Sequence, residues 1–496
     1  MQIKKPSTGQ KITNFRLNVK SLNHFNFKMQ SNKISLKQFI QYFKIAVTGK
    51  QQEFTSGSIR RAVFMLAVPM VLEMLMESIF ALVDIMYVSQ VSVNAVATIG
   101  LTESVITLIY AVAIGLSIAA TAIVARRVGE KDLKGASHAA VQVIFLGVFV
   151  AAIVSAIGII YPKELLSLMG AEPDLIEEGY GYTKILLGGN MTIMLLFLIN
   201  AIFRGTGEAS ISMWTLILSN GLNIILDPMF IFGFGPIPEY GVEGAAIATT
   251  IGRGTAVLFQ LAILFYGYSK IKIGIKDIII RVGVMLNLIR VSLGGIGQFL
   301  IGTTSWVFLM RIISEFGSEV LAGYTIAIRV MLFTLMPAWG MSSAAASLVG
   351  QNLGAKKPER AEQSVWITSK YSAIFMGVVS IWYIAFAPQI IGLFNETPDV
   401  VKYGSLCLRI MTAPFVFYGF GMIILNAFNG AGDTKTPTYI NFISYWLLQL
   451  PFAYVAAITL NYGPIGVFWA IAAGELVMTI LAIIWFKKGY WKMTQV

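Results

Sequence analysis

Apolar runs of about 20 residues recur along the whole chain, each long enough to cross a bilayer core of roughly 30 Å. Twelve spans are predicted, at 62–84, 97–125, 139–160, 181–203, 212–234, 242–266, 290–313, 321–349, 366–387, 404–427, 437–460 and 464–486. The expected fold class is an all-α polytopic membrane protein, because only helices or closed barrels satisfy the backbone inside lipid. Composition agrees. Only 12% of the residues are charged, against about 25% in soluble domains, and the mean hydropathy is +0.73.

The net charge of +12 changes meaning once it is divided. Residues 1–58 hold ten Lys/Arg and one acid, Glu53, so the remainder is nearly balanced. A basic tail on a membrane body implies no nucleic-acid partner; the expected partners are the lipid bilayer and small solutes. Loops alternate in sign. One set carries Arg126, Arg127, Lys131, Arg204, Lys270, Lys356, Lys357, Arg360 and Lys435, whereas the other carries Glu172, Asp174, Glu177, Glu178, Glu315 and Asp399. Positive loops stay inside, which predicts a multi-pass protein of the plasma (inner) membrane with both termini cytoplasmic. In the tail, Leu36, Phe39, Ile40, Phe43 and Val47 share one helical face, with Lys37 and Lys44 on others. That pattern suits a helix on an anionic leaflet, and residues 1–28 read as disordered. The lone Cys407 excludes an intramolecular disulfide.

Turn residues repeat at a constant offset of 225. Gly115, Gly129, Lys131, Pro173, Gly205, Gly207 and Gly241 pair with Gly340, Gly354, Lys356, Pro398, Gly430, Gly432 and Gly466. The chain is therefore expected to be a duplication: a tail over 1–57, a six-helix lobe over 58–270, a cytoplasmic linker over 271–289 and a second six-helix lobe over 290–496. Six spans per half give both lobes one orientation, a parallel repeat about the membrane normal. Paired lobes of this kind suit alternating access.

Acids inside the spans are costly. Glu73, Glu77 and Asp84, in LEMLMESIFALVD, lie within about 40° of one another on span 1. Asn220, Asn223 and Asp227 form a second stripe on span 5, and span 6 offers a hydroxyl from Thr249 or Thr250. Together these oxygens suit a partly dehydrated cation. The repeat partners of Asp84, Asn223 and Asp227 are Leu309, Leu448 and Phe452, which places the expected coupling in lobe one alone. Glu73 and Glu77 are expected on the cavity or cation path. Arg253, Glu103, Arg311, Arg329 and Glu475 are further charges within spans, and Arg329 is a candidate gate against an acid of lobe one.

The stretches SGSIRRAVFMLAVPM, ALVDIMYVSQ, RGTGEAS, NGAGDTKTP and NIILDPMFIFGFGPIPEYGVEGAAIAT resemble the multidrug and toxic compound extrusion (MATE) family, over about 55–490. The resemblance implies a monomeric secondary antiporter that exports amphipathic, often cationic drugs or metabolites against H⁺ or Na⁺, with no cofactor and no enzymatic activity. Asp84, Asn223 and Asp227 match the cation site of the DNA-damage-inducible-F-like branch, which makes them a candidate Na⁺ site as well as a proton site. Pro69 matches that branch's proline, where helix 1 bends. Alternatives are a lipid-linked oligosaccharide flippase of the same superfamily, an intramembrane enzyme and a channel.

Overall fold

A computed structural model of the chain describes residues 36–49 and 53–496. Residues up to Tyr42 form one unit and Phe43–Val496 a second, compact one. The expected disorder of 1–28 lies outside the described residues, as do the side chains of Leu36 and Phe39. The predicted tail helix is present as α1 (Leu36–Thr48), with Ile40 and Phe43 exposed.

Lobe one contains α2 (Ile59–Val88), α3 (Val93–Gly129), α4 (Leu133–Ile160), α5 (Pro162–Leu168), α6 (Pro173–Gly188), α7 (Asn190–Thr206), α8 (Ala209–Ile231) and α9 (Val242–Tyr266). Lobe two contains α10 (Val282–Ser314), α11 (Ser318–Gly354), α12 (Pro358–Gly392), α13 (Pro398–Thr412), α14 (Phe415–Ala431), α15 (Lys435–Asn441), α16 (Leu450–Tyr454) and α17 (Pro464–Lys488). Around α16 the helix widens into π-helical turns at Phe442–Gln449 and Val455–Thr459. Among the described residues, eleven helices are long and apolar enough to cross a membrane, or twelve when α13 and α14 count as one span bent by 57°. α10 starts at Val282, within the stretch expected as linker.

Local chemistry sets the helix ends. Ser92 accepts a hydrogen bond from the Ala95 N–H at 2.9 Å and starts α3; Asp132 accepts from Gly135 at 2.8 Å and starts α4. Both satisfy donors that a helix start leaves open.

The duplication extends to backbone detail. Gly207 (φ +83°) and Gly432 (φ +87°), repeat partners, close α7 and α14 in the left-handed region, where the lack of a Cβ removes the steric cost. Lys131 (φ 63°) and Lys356 (φ 57°), also partners, share that same conformation. Gly189 separates α6 from α7 at the register where Pro414 separates α13 from α14.

The lobes meet through glycines. A Cβ on Gly115 would lie 2.7 Å from Ser292 O, and one on its partner Gly340 would lie 2.6 Å from Met70 O. Further along α3 and α11 the backbones touch. Side-chain hydrogen bonds between lobes lie at this basic end: Gln351 donates to Gly205 O at 2.9 Å, and beside it Lys357 holds the segment before α2 by donating to Thr55 O at 2.8 Å. Arg126 also donates to Thr494 O. Side-chain contacts that join the lobes are therefore concentrated at the end carrying the basic loops.

Candidate functional site

Three helices bring the lobe-one oxygens together. α2 packs along α8, and α8 along α9. Gly252 permits the second approach, since a Cβ there would lie 2.8 Å from Ser219 O.

Asn223 is the hub. Its Nδ2 donates to Asp227 Oδ1 and to Thr249 Oγ1, both at 3.1 Å. Asp227 is 0% exposed. The opposite acceptors, Asn223 Oδ1 and Asp227 Oδ2, are buried without a partner, as is Asp84 Oδ1. Asp84 is near enough to Asp227 to act on it electrostatically. Buried polar atoms are nearly always paired, so three open acceptors on two interacting carboxylates and an amide are suited to a proton or a small cation. Among the described residues, no group of three or more His/Cys/Asp/Glu is arranged for a metal ion.

Of the two hydroxyls left open by the sequence, Thr249 joins this cluster. Thr250 donates to Ala246 O of its own helix at 2.8 Å. Asn220 turns towards α2, donating to Met76 O at 3.2 Å and to Glu77 Oε2 at 3.5 Å.

Glu73 does not line an open path. It is 1% exposed and paired with Arg204 at 2.8 Å, because the last turn of α7 brings that base against α2. Glu77 keeps 29% exposure and stands 3.9 Å from Arg253. Arg253 also lies over the Phe80 ring at 5.6 Å and acts on Asp84. Arg329 acts on Glu103 of lobe one without forming an ion pair; both side chains are exposed. Pro69 sits inside α2, which continues as one helix to Val88.

The sequence marked Arg253 only as a charge within a span, not as part of the site; it stands four residues after Thr249, a spacing that puts both on one helix face. Pro228 was not singled out: it follows Asp227 directly, and with no N–H it leaves the Ile224 carbonyl without its helical donor.

Two lobes of six spans, one holding a buried carboxylate–amide cluster, define a membrane carrier. The MatE family model matches residues 69–229 and 296–455, one match per lobe, and the chain belongs to that family of multidrug efflux transporters. It is 26% identical over 444 residues to the probable multidrug resistance protein NorM of Thermotoga maritima, covering 88% of this chain and 93% of that one. It is 21% identical to the multidrug export protein MepA of Staphylococcus aureus, covering 87% and 94%. A solved outward-facing MATE transporter is 27% identical with a TM-score of 0.83, covering 90% of this chain and all of that one. A MATE structure in the straight conformation matches equally well, with a TM-score of 0.83. Members of this family are transporters, not enzymes.

Proposed function

We propose that this transporter exports amphipathic, often cationic compounds in exchange for H⁺ or Na⁺, with the coupling cation held in lobe one by Asp84, Asn223 and Asp227. The observation that carries this is the set of three buried, partnerless acceptors on those residues. Thr249 and Asn220 complete the polar wall, and Glu77 with Arg253 forms its edge. The same pattern supports placement in the DNA-damage-inducible-F-like branch.

The mechanism follows from charge. Two carboxylates close together in a low-dielectric site repel when both are ionised. A proton or Na⁺ removes that repulsion; its release restores it. A cation bound from the acidic-loop side and released on the other biases the two arrangements of the lobes, as alternating access requires. Glu103 and Arg329 attract each other from different lobes, so bringing the lobes together at that end strengthens their attraction. They are the proposed outer gate. Pro69 gives α2 the one internal position that lacks a helical hydrogen bond, the proposed point of bending.

With basic loops inside, the end where the lobes are joined is the cytoplasmic one. Dye uptake into inverted vesicles, driven separately by a pH or a Na⁺ gradient, tests the reading. Gradient-driven uptake supports it; solute flux that ignores both gradients contradicts it.

A further inference from the structure

Lobe two contains a polar cluster that the duplication hides. Adding 225 to the lobe-one residues gave no acid at the partners of Asp84 and Asp227. The partner of Thr250, however, is Glu475 on α17, and the partner of Asn220 is Tyr445 on the π-helical turn facing it. The chemistry of the site has moved by one helix.

Glu475 Oε2 is buried and has no partner. Its surroundings come from three elements. Gln449 packs directly on α17: a Cβ on Gly474 would lie 2.7 Å from Gln449 Oε1. That oxygen too is buried and unpaired, on a residue only 5% exposed. Ser444, fully buried one π-turn earlier, also has an unpaired hydroxyl. Tyr418 of α14 and Tyr445 both interact electrostatically with Glu475. Among the described residues no ion pair reaches it: not from Lys402 or Arg409 of α13 (whose other charge is the acid Asp399), Lys435 of α15, Arg290 or Arg311 of α10, Lys487 or Lys488 of its own helix, nor Lys492, which pairs with Glu362. The π-helical turn Phe442–Gln449 is itself a departure from regular helix, which is common at functional sites.

An isolated carboxylate in such a place is too costly to remain charged without a counter-ion. Among the described residues no base pairs with it, and no group of acids is arranged around it for a divalent cation. We infer that Glu475, with Tyr418, Tyr445 and Gln449, is a second protonation site, in lobe two. It takes up one proton on its carboxylate, and the tyrosine hydroxyls and the Gln449 amide hold the carboxyl group. This rests on the gradient-coupled reading above and revises the expectation that only lobe one takes part.

The test is difference infrared spectroscopy of the purified full-length protein across the neutral pH range, in Na⁺-free buffer and without substrate. Because no transport is read, failure of the lobe-one reading does not affect it. The expected result is a protonated-carboxyl band that Glu475→Gln removes and that persists in the Asp84→Asn/Asp227→Asn variant. Tyr445→Phe and Gln449→Leu, which keep the carboxyl group, should shift that band. A carboxyl band set unchanged by Glu475→Gln, or a Glu475 band unmoved by both Tyr445→Phe and Gln449→Leu, overturns the inference. So does a carboxylate that never protonates and responds only to added Na⁺.

Discussion

Gly129 and Gly354 occupy the same register in the two lobes, and each presses on the other lobe's backbone. A Cβ on Gly129 would lie 2.0 Å from Gln351 O, and one on Gly354 would lie 2.1 Å from Arg126 O. The pseudo-two-fold axis therefore passes between them, at the end carrying the basic loops.

A side chain at either position should open that end. Gly354→Val overpacks the seam, at a cost of about 1–3 kcal/mol, roughly a five- to hundredfold change in populations. Spin-label distances between the lobes at the basic end should lengthen and efflux should fall. Unchanged distances would mean that the seam does not hold the lobes together at that end.

The segment 53–57 is held to lobe two chiefly by Arg360, which donates to Phe54 O, Ser56 O and Gly57 O at 2.8–3.3 Å. Arg360→Ala should raise hydrogen exchange over 53–58 while leaving α8 protected. Glu53 adds little pH dependence. The Thr55 hydroxyl holds its carboxyl below the ordinary range, so its contribution is complete above the unfolded-state value and fades only as acid takes pH through the lower folded one. Exchange in this segment should be flat from neutral to mildly acidic pH, apart from the intrinsic chemical rate.

Glu73 and Arg204 form a buried pair, so removing one partner should cost more than removing both. Arg204→Ala leaves a buried carboxylate alone and should destabilise by about 3–5 kcal/mol. The double variant Glu73→Leu/Arg204→Leu should recover most of that in thermal unfolding of the solubilised protein. A double variant as unstable as Arg204→Ala would show that packing, not charge, sets the cost.

Asn223→Ala removes the single donor shared by Asp227 and Thr249. The fold should persist, while stabilisation by the coupling cation, which rises with concentration when only the folded state binds, should fall at least tenfold in apparent affinity. Thermal unfolding in a Na⁺ series, and separately in a pH series, reads this.

The spans and the parallel repeat were legible because hydropathy and turn glycines are local signals. So was the stripe of Asn220, Asn223 and Asp227, since it depends only on helical spacing. Partner choice was not. Glu73 was expected on the cavity or cation path, but α7 places Arg204 against it, a contact 131 residues apart in the chain. Thr249 and Thr250 are adjacent, and only the roll of α9 separates them. Glu475 was visible as an acid, but its neighbours lie on two other elements, and π-helical turns leave no clear mark in hydropathy. The offset comparison missed it because duplication preserves backbone register while side-chain chemistry moves between neighbouring helices.

Coupling through lobe one is tested most directly by dye uptake into inverted vesicles carrying well-expressed Asp84→Asn or Asp227→Asn, each under a pH gradient and then a Na⁺ gradient. The prediction is that wild-type uptake follows one of the two gradients and that both substitutions abolish this dependence while leaving the protein folded and inserted. Full gradient-driven uptake by either variant would contradict it.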